Sequence, residues 1–342
     1  MLTYKESFKL IEGQSSELKK TCIGTFHLIQ ELSIVNMVWE KFQFSIDDDR
    51  EPVLVANSTV HDAVVRLNAI RINLNSYGDL TNHGSKNNEI MEEMHQSLFE
   101  HLWTEYDEEG YSIRIQDYIN RLEVNQLGKE FLYDKKVLDL GCGHGNFLQA
   151  CLKLGASECI GVDYGTKSID YAKEYSKHLN NIDFRVGNVY DLDFNDNTFD
   201  FVIQNGVFHH LEDEEKAYNE AYRVLKKGGK MWIYTDGGGI RGDLWDYSRE
   251  ILNDVPFKVI REILKNIGYS QAKCYHISDG LNAVYRHTTV NEIQERLTKI
   301  GFGGYTRLKG GEWFDLDGDF LKRKYANKIA GDGDIRLLAV KI

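Results

Sequence analysis

The chemistry in this sequence lies in a few small and polar residues set between apolar runs. Gly141, Gly143 and Gly145 follow the run Lys135-Lys-Val-Leu-Asp-Leu140, and an apolar-periodic segment of Phe147, Leu148, Ala150, Cys151 and Leu154 comes next. That order predicts a buried strand, a tight glycine turn and a helix N-terminus. Glycine suits such a turn because the backbone takes conformations closed to other residues and lets a ligand approach within contact distance. The free N–H groups of the helix start then face the ligand. Asp163 closes a second short run, Cys159-Ile-Gly-Val162, about twenty residues beyond Gly141, where nucleotide-binding folds place the acid that accepts from both ribose hydroxyls. A dinucleotide fingerprint would carry its third glycine at position 146, which is Asn146, so a nicotinamide oxidoreductase is disfavoured.

Histidines are the candidates for proton chemistry. His209 and His210 follow the run Phe199-Asp-Phe-Val-Ile-Gln204, and His276 lies in a later aromatic-rich stretch. An imidazole with a near-neutral pKa can take a proton from an oxygen or nitrogen nucleophile. By position His209 is the first choice of the three and His276 an alternative. Asp236, Glu312 and Asp315 are candidates for a cationic acceptor amine or a divalent metal, but their spacing makes no metal site and none is assigned.

A parallel sheet is needed to bring these residues together. Strands are predicted at Val137–Leu140, Cys159–Val162, Ile182–Val186, Phe199–Gln204 and Lys230–Tyr234, with helices alternating between them. Gly228-Gly229 is expected to cap the helix whose face is Ala217, Ala221, Val224 and Leu225. About fifty residues, opening on the hinge Gly237-Gly-Gly239, then intervene before Thr289-Val-Asn-Glu292 starts a helix with a capping box. Tyr305–Leu308 and Ile335–Ile342 are the last two predicted strands. The aromatic insert, with Trp245, Tyr247, Phe257 and Tyr275, would lie at the carboxyl end of the sheet, so it reads as an acceptor lid.

At these motifs the sequence resembles the class I S-adenosylmethionine (SAM)-dependent methyltransferases, over roughly residues 90–342. The resemblance implies an α/β, Rossmann-like, seven-stranded and mostly parallel sheet with helices on both faces, extended here by a helical N-terminal subdomain and a lid insertion after strand five. The implied divisions are residues 1–88 (helical subdomain and linker), 89–133 (helices covering the cofactor site), 134–236 with 288–342 (SAM-binding domain) and 237–287 (lid). SAM is the implied methyl donor and S-adenosylhomocysteine (SAH) the product. Asp139 and the three glycines match the family's first motif, whose turn faces the amino-acid portion of SAM; Asp163 matches its ribose-binding acid and Tyr164 the residue that packs on adenine. Asn188 and Val189 stand where the family has an aspartate and a residue whose backbone meets the adenine ring. Asn188 departs from that pattern, and its side-chain carbonyl is expected to accept the adenine N6 hydrogen without charge assistance. Gln204 occupies the position that supports the methionine moiety, and Tyr111, Tyr118 and Arg121 belong to the helices that help close the SAM site.

Composition narrows the partners. With 41 Lys and Arg against 53 Asp and Glu, the net charge of −12 argues against a nucleic-acid backbone as partner. Five scattered cysteines, with no CxxC pair, fit reduced thiols in a cytoplasm and supply no zinc site. No apolar run is long enough to span a bilayer, and the start Met1-Leu-Thr-Tyr-Lys5 has no signal-peptide core, so a soluble cytoplasmic protein without a membrane partner is expected. Residues 1 to about 75 read as packing or homodimerisation helices. The expected activity is methyl transfer to an oxygen or nitrogen of a mid-sized small molecule, as in secondary metabolism. The rivals are a catalytically silent SAM-binding partner subunit and a methyltransferase acting on a protein or carrier-bound substrate.

Overall fold

The computed structural model describes residues 50–58, 108–252, 285–311 and 315–342, together with Glu6, Lys9, His61, Leu264, Cys274, Ile277, Gly280, Leu281 and Ala283. His276, Glu312 and most of the expected N-terminal helices and insert lie outside these residues. The chain divides into two compact units, one of residues 90–237, 285–322 and 332–342 and the other of residues 1–89, 238–284 and 323–331.

The first unit is built on a sheet of seven strands: β1 (Lys136–Leu140), β2 (Glu158–Asp163), β3 (Ile182–Val186), β4 (Phe199–Asn205), β5 (Leu225–Asp236), β6 (Phe302–Arg307) and β7 (Asp334–Lys341). Their spatial order is β3-β2-β1-β4-β5-β7-β6. β1 to β5 run parallel, and β7 runs antiparallel to both β5 and β6. The helices are α1 (Glu108–Val124), α2 (Lys129–Leu132), α3 (Asn146–Lys153), α4 (Thr166–Ser176), α5 (Glu214–Val224) and, after β5, α7 (Val290–Ile300) and the short α8 (Gly318–Leu321). From β1 the chain steps outward through β2 to β3, then returns to place β4 on the other side of β1. The carboxyl ends of β1 and β4 therefore diverge at a switch point, where α/β sheets hold their ligands.

Period-2 alternation assigns each strand residue to a face. Val137, Phe201, Ile203 and Trp232 point to one side, where they meet Leu122 of α1, Leu148 and Cys151 of α3 and Ile169 of α4. Leu138, Val202, Met231 and Ile233 point to the other, against Ala217, Ala221 and Val224 of α5 and Ile293 and Leu297 of α7. The strand residues among these are fully buried, and burial of each large one contributes about 1.5–3 kcal/mol. α7 starts with the capping box read from the sequence, Thr289 Oγ1 accepting from Glu292 N while Glu292 Oε2 accepts from Thr289 N.

Gly228 and Gly229 do not cap α5. The helix stops at Val224, Leu225 is already extended, and the glycines sit inside β5, where pairing jumps from Phe199↔Leu225 to Phe201↔Lys230. Leu225 is fully buried in the sheet-side core, and that burial outweighs one more helical turn. Extra residues on one strand of a pair make a bulge, a natural place for glycine.

In the second unit, α6 (Gly239–Leu252) packs against α9 (Ala326–Ala330). The Trp245 ring lies against Gly280, where a Cβ would fall 2.8 Å from it, and Arg249 Nη1 donates to the Gly280 carbonyl at 2.8 Å. Lys328 pairs with Glu51 at 3.0 Å. Among the described residues no helix is long and apolar enough to cross a membrane.

Candidate functional site

The turn after β1 and the end of β2 form one hydrogen-bonded piece. Gly143 N donates to Asp163 Oδ2 at 2.8 Å, and Gly165 N donates to Asp163 Oδ1 at 2.8 Å. A carboxylate oxygen carries two lone pairs and can accept more than one hydrogen bond. Gly141 (φ +81°) and Gly145 (φ +79°) occupy left-handed backbone, and the space beside them belongs to the protein. A Cβ on Gly141 would fall 2.5 Å from Val207, and one on Gly145 2.4 Å from the Phe184 ring. These two glycines serve close packing of the turn against the chain after β4 and against β3.

One cavity at the switch point brings together Asp139, Gly141, Gly143, Asp163, Tyr164, Asn188 and Val189. Asp139 is 3% exposed, and its Oδ1 has no hydrogen-bond partner among the described residues. Burial, with the nearby Asp163 charge, pushes its carboxyl up to about 8, because a low-dielectric site disfavours the charged form. His144 lines the same cavity, and burial drives its imidazole down to about 3, so the ring is neutral. Tyr111 of α1 braces the turn from outside: its hydroxyl donates to His144 O at 2.7 Å, and its own carbonyl accepts from Asn146 Nδ2 at 3.0 Å. Tyr118, two turns along α1, lines the cavity and stacks on Phe147 at 4.4 Å. Arg121 is turned to Asp315 and the Gly310 carbonyl instead. Asp315 is itself held by buried Arg336 at 2.7 Å, which leaves it committed to an ionic network within the fold.

Tyr164, Val189, Tyr190 and Leu211 line another stretch of the cavity wall. Two ties fix it: Asn188 Oδ1 accepts from Tyr190 N at 2.8 Å, and Asp213 N donates to the Tyr190 hydroxyl at 3.2 Å.

At the end of β4, alternate residues part company. Gln204 is fully buried, donates to the Tyr234 carbonyl at 3.1 Å and the Tyr218 hydroxyl at 3.3 Å, and accepts from Val207 N and Phe208 N. It shapes the turn from behind and is absent from the cavity lining, while its neighbours Asn205 and Gly206 are present. The following 3-10 turn, Phe208–His210, places His210 in the cavity wall. His209 lies behind it, 3% exposed, its ring stacked on Tyr285 and its carbonyl accepting from Arg286 N at 3.0 Å. The two Nε2 atoms are 3.0 Å apart, so one donates and the other accepts according to tautomer. Sequence position favoured His209; only the pitch of this turn distinguishes it from its neighbour. Tyr118, Tyr190 and Leu211 complete the lining, and nothing in their spacing separates them from core residues. Among the described residues no cluster of His, Cys, Asp and Glu could hold a metal ion.

These groups fit S-adenosylmethionine. Asp163 is a carboxylate at the cavity wall suited to accept from hydroxyls, the apolar Val189 and Leu211 suit a flat heterocycle, and the unpartnered oxygen of Asp139 suits an ammonium group. The rings of Tyr118 and Phe147 suit a positively charged sulfur.

Residues 138–233 match the family model of a methyltransferase domain. The chain is similar to an uncharacterised methyltransferase of Schizosaccharomyces pombe, 38% identical over 103 residues that cover 28% of this chain and 37% of that protein. It is similar to a sterol 24-C-methyltransferase of Saccharomyces cerevisiae, 31% identical over 150 residues (39% of this chain, 38% of that one). A demethylmenaquinone methyltransferase of Staphylococcus haemolyticus is 31% identical over 155 residues (43% and 62%). The chain thus spans less than two thirds of the length of each of these relatives.

Proposed function

We infer that the class I methyltransferase domain at residues 138–233 is the working part of an enzyme that carries a methyl group from SAM to an oxygen or nitrogen of a small-molecule acceptor, releasing SAH. The observation that carries this reading is the Gly143–Asp163–Gly165 piece beside Asp139, which offers acceptor oxygens for ribose hydroxyls at one point and for an ammonium at another. Two relatives named for sterol and demethylmenaquinone support a small-molecule acceptor.

Bound SAM supplies an activated methyl group on a positively charged sulfur. The protein's part is then chiefly alignment, and holding an acceptor in line can supply roughly 7–11 kcal/mol of barrier reduction. Tyr118 and Phe147 wall the cavity with aromatic surface, which keeps water from the nucleophile. The acceptor's proton is assigned to the His210–His209 pair, with His210 at the wall and His209 sharing the proton from behind.

The decisive experiment is incubation with methyl-deuterated SAM and a small-molecule extract, followed by mass spectrometry for a product about three mass units heavier. A labelled metabolite names the acceptor. Tight SAM binding with no labelled small molecule would leave a macromolecular acceptor or a silent partner subunit. For the ribose assignment Asp163→Asn perturbs the turn less than Asp163→Ala, since its single amide oxygen still accepts from one of the Gly143 and Gly165 N–H groups whereas Asp163→Ala releases both. Unchanged SAM affinity in Asp163→Asn would remove Asp163 from the ribose contact.

A further inference from the structure

Helix α1 is held at both ends, and the residue it gives to the cavity lies between. Tyr111, Ile115 and Leu122 make its buried stripe, while Ile113 and Val124 are exposed, so apolar packing fixes α1 on one side only. Tyr111 ties the first turns to His144 and Asn146. At the other end the hold comes from the segment after β6. Asn125, just past the last helical residue, has its whole amide engaged: Nδ2 donates to the carbonyls of Lys309 and Arg121 at 2.8 Å each, and Oδ1 accepts from Lys309 N at 2.8 Å. Arg121, one turn earlier, donates from Nε to the Gly310 carbonyl at 2.5 Å and meets Asp315 at 3.6 Å. β7 in turn grips that segment: Leu308 N donates to the Arg336 carbonyl at 2.8 Å, and the buried Arg336 guanidinium holds Asp315 at 2.7 Å and Asp317 at 3.2 Å. Between the two anchors Tyr118 lines the cavity, stacked on Phe147. The Arg121 guanidinium is 5.9 Å from the centre of its ring, and its hydroxyl accepts from Asn205 Nδ2 at 3.4 Å. None of the described residues 308–311 and 315–317 lines that cavity.

We propose that Asn125 and Arg121 are positioning residues of the cofactor cavity, which fix Tyr118 at its wall by fastening the end of α1 to the segment after β6. This rests on the methyltransferase reading above. Asparagine suits position 125 because one planar group supplies two donors and an acceptor. An aspartate of the same size has no N–H for either carbonyl and sets a negative charge beside both. Release of Asn125 frees the last turn of α1 to open locally, and Tyr118, two turns back, loses the fixed guanidinium beside its ring. A cavity wall that has to be ordered as the ligand arrives costs affinity. Linkage makes the coupling reciprocal: a ligand that needs the fastened wall also holds the fastening shut.

The test uses SAH and the full chain, and needs no methyl acceptor. Calorimetry gives the SAH affinity of the wild type, Asn125→Asp, Tyr118→Leu and the double variant, each with its fold verified by circular dichroism. Asn125→Asp and Tyr118→Leu should each bind SAH roughly five- to tenfold more weakly, about the size of one net hydrogen bond. The double variant should bind no more weakly than Tyr118→Leu alone, since both changes act through the same ring. Losses that multiply in the double variant overturn the proposal, and so does wild-type affinity in either single variant. A second measurement needs no variant: amide hydrogen exchange of the wild type with and without SAH. Lys309 N and Gly310 N, which donate to Asn125 and Asp317, should exchange roughly five- to tenfold more slowly with ligand, as linkage requires. Gly301 N, which donates to the Leu297 carbonyl at the end of α7, should keep its rate. A clamp with a merely structural role would leave Lys309 at its ligand-free rate or slow it only in step with Gly301, and either result overturns the proposal. A folded wild type that binds no SAH would instead sink the methyltransferase reading, and this proposal with it.

Discussion

Replacing Asp139 by asparagine should stabilise the ligand-free protein at pH 8 while weakening its grip on SAH. Burial and the Asp163 charge raise the Asp139 carboxyl from 3.8 to about 8, whereas in the unfolded chain it ionises near the ordinary value of about 3.9. Between those values the native state holds a proton that the unfolded state has released. Stability therefore falls as pH rises through the window from about 4 to 8 and is fully present only below it. At about 1.4 kcal/mol per pH unit the cost is capped near 5–6 kcal/mol; local relaxation lowers this, and about 2–4 kcal/mol is the expected loss. The amide of the Asp139→Asn variant would not titrate, so that part of the slope should vanish. An ammonium beside Oδ1 would draw the carboxyl back down, so wild-type SAH binding between pH 6 and 8 should release a proton and tighten as pH rises. Loss of that charge-assisted bond costs about 1.5–3 kcal/mol, roughly 10- to 100-fold in affinity. Urea unfolding at pH 5 and pH 8 reads the first effect, and calorimetry in two buffers of different ionisation enthalpy reads the second. An Asp139→Asn protein as pH-dependent as the wild type, with SAH affinity intact, would refute the reasoning.

Gly145→Ala places a methyl group 2.4 Å from the Phe184 ring at φ +79°, and left-handed strain with overpacking should lower unfolding free energy by about 2–4 kcal/mol in urea titrations. Gln204→Ala strips a fully buried side chain from the N–H groups of Val207 and Phe208; a loss of about 2–3 kcal/mol is expected, and a change within the error of the denaturation curve would contradict its role as a brace. Asp315→Asn takes a charge from Arg336, which is 3% exposed and also meets Asp317 at 3.2 Å, so about 1–3 kcal/mol of stability should go, visible as a lowered Tm. His210→Asn should retain SAH affinity within a few-fold while slowing methyl transfer by about 10²-fold or more; transfer at wild-type rate would remove the imidazole from the proton path.

Much of the frame was legible because it depends on local pattern. The apolar runs ending at Leu140, Val162 and Val186, and the helical repeat of Ile293, Leu297 and Ile300, gave strands and helices close to those observed. Capping by Thr289 and Glu292 could be read directly, since both partners lie within four residues. Gly228 reads as a helix cap in the sequence because a bulge and a cap ask the same thing of glycine, and only pairing with β4 separates them.

By itself the sequence determined the glycine turn and the acid at the end of β2, since these follow from residue type and short-range spacing, while the seven-stranded sheet was what the family resemblance implied. Tertiary structure alone decided which side chains face that crevice. Gln204 and Asn205 differ by one strand residue and His209 and His210 by one turn residue, yet one of each pair lines the cavity and the other holds the fold. The side-chain oxygen of Asn188 likewise meets Tyr190 N. Orientation is set by contacts with residues distant in the chain, such as Tyr234, Tyr285 and Val207 with the Gly141 turn, and a linear sequence carries no record of which distant neighbours will meet.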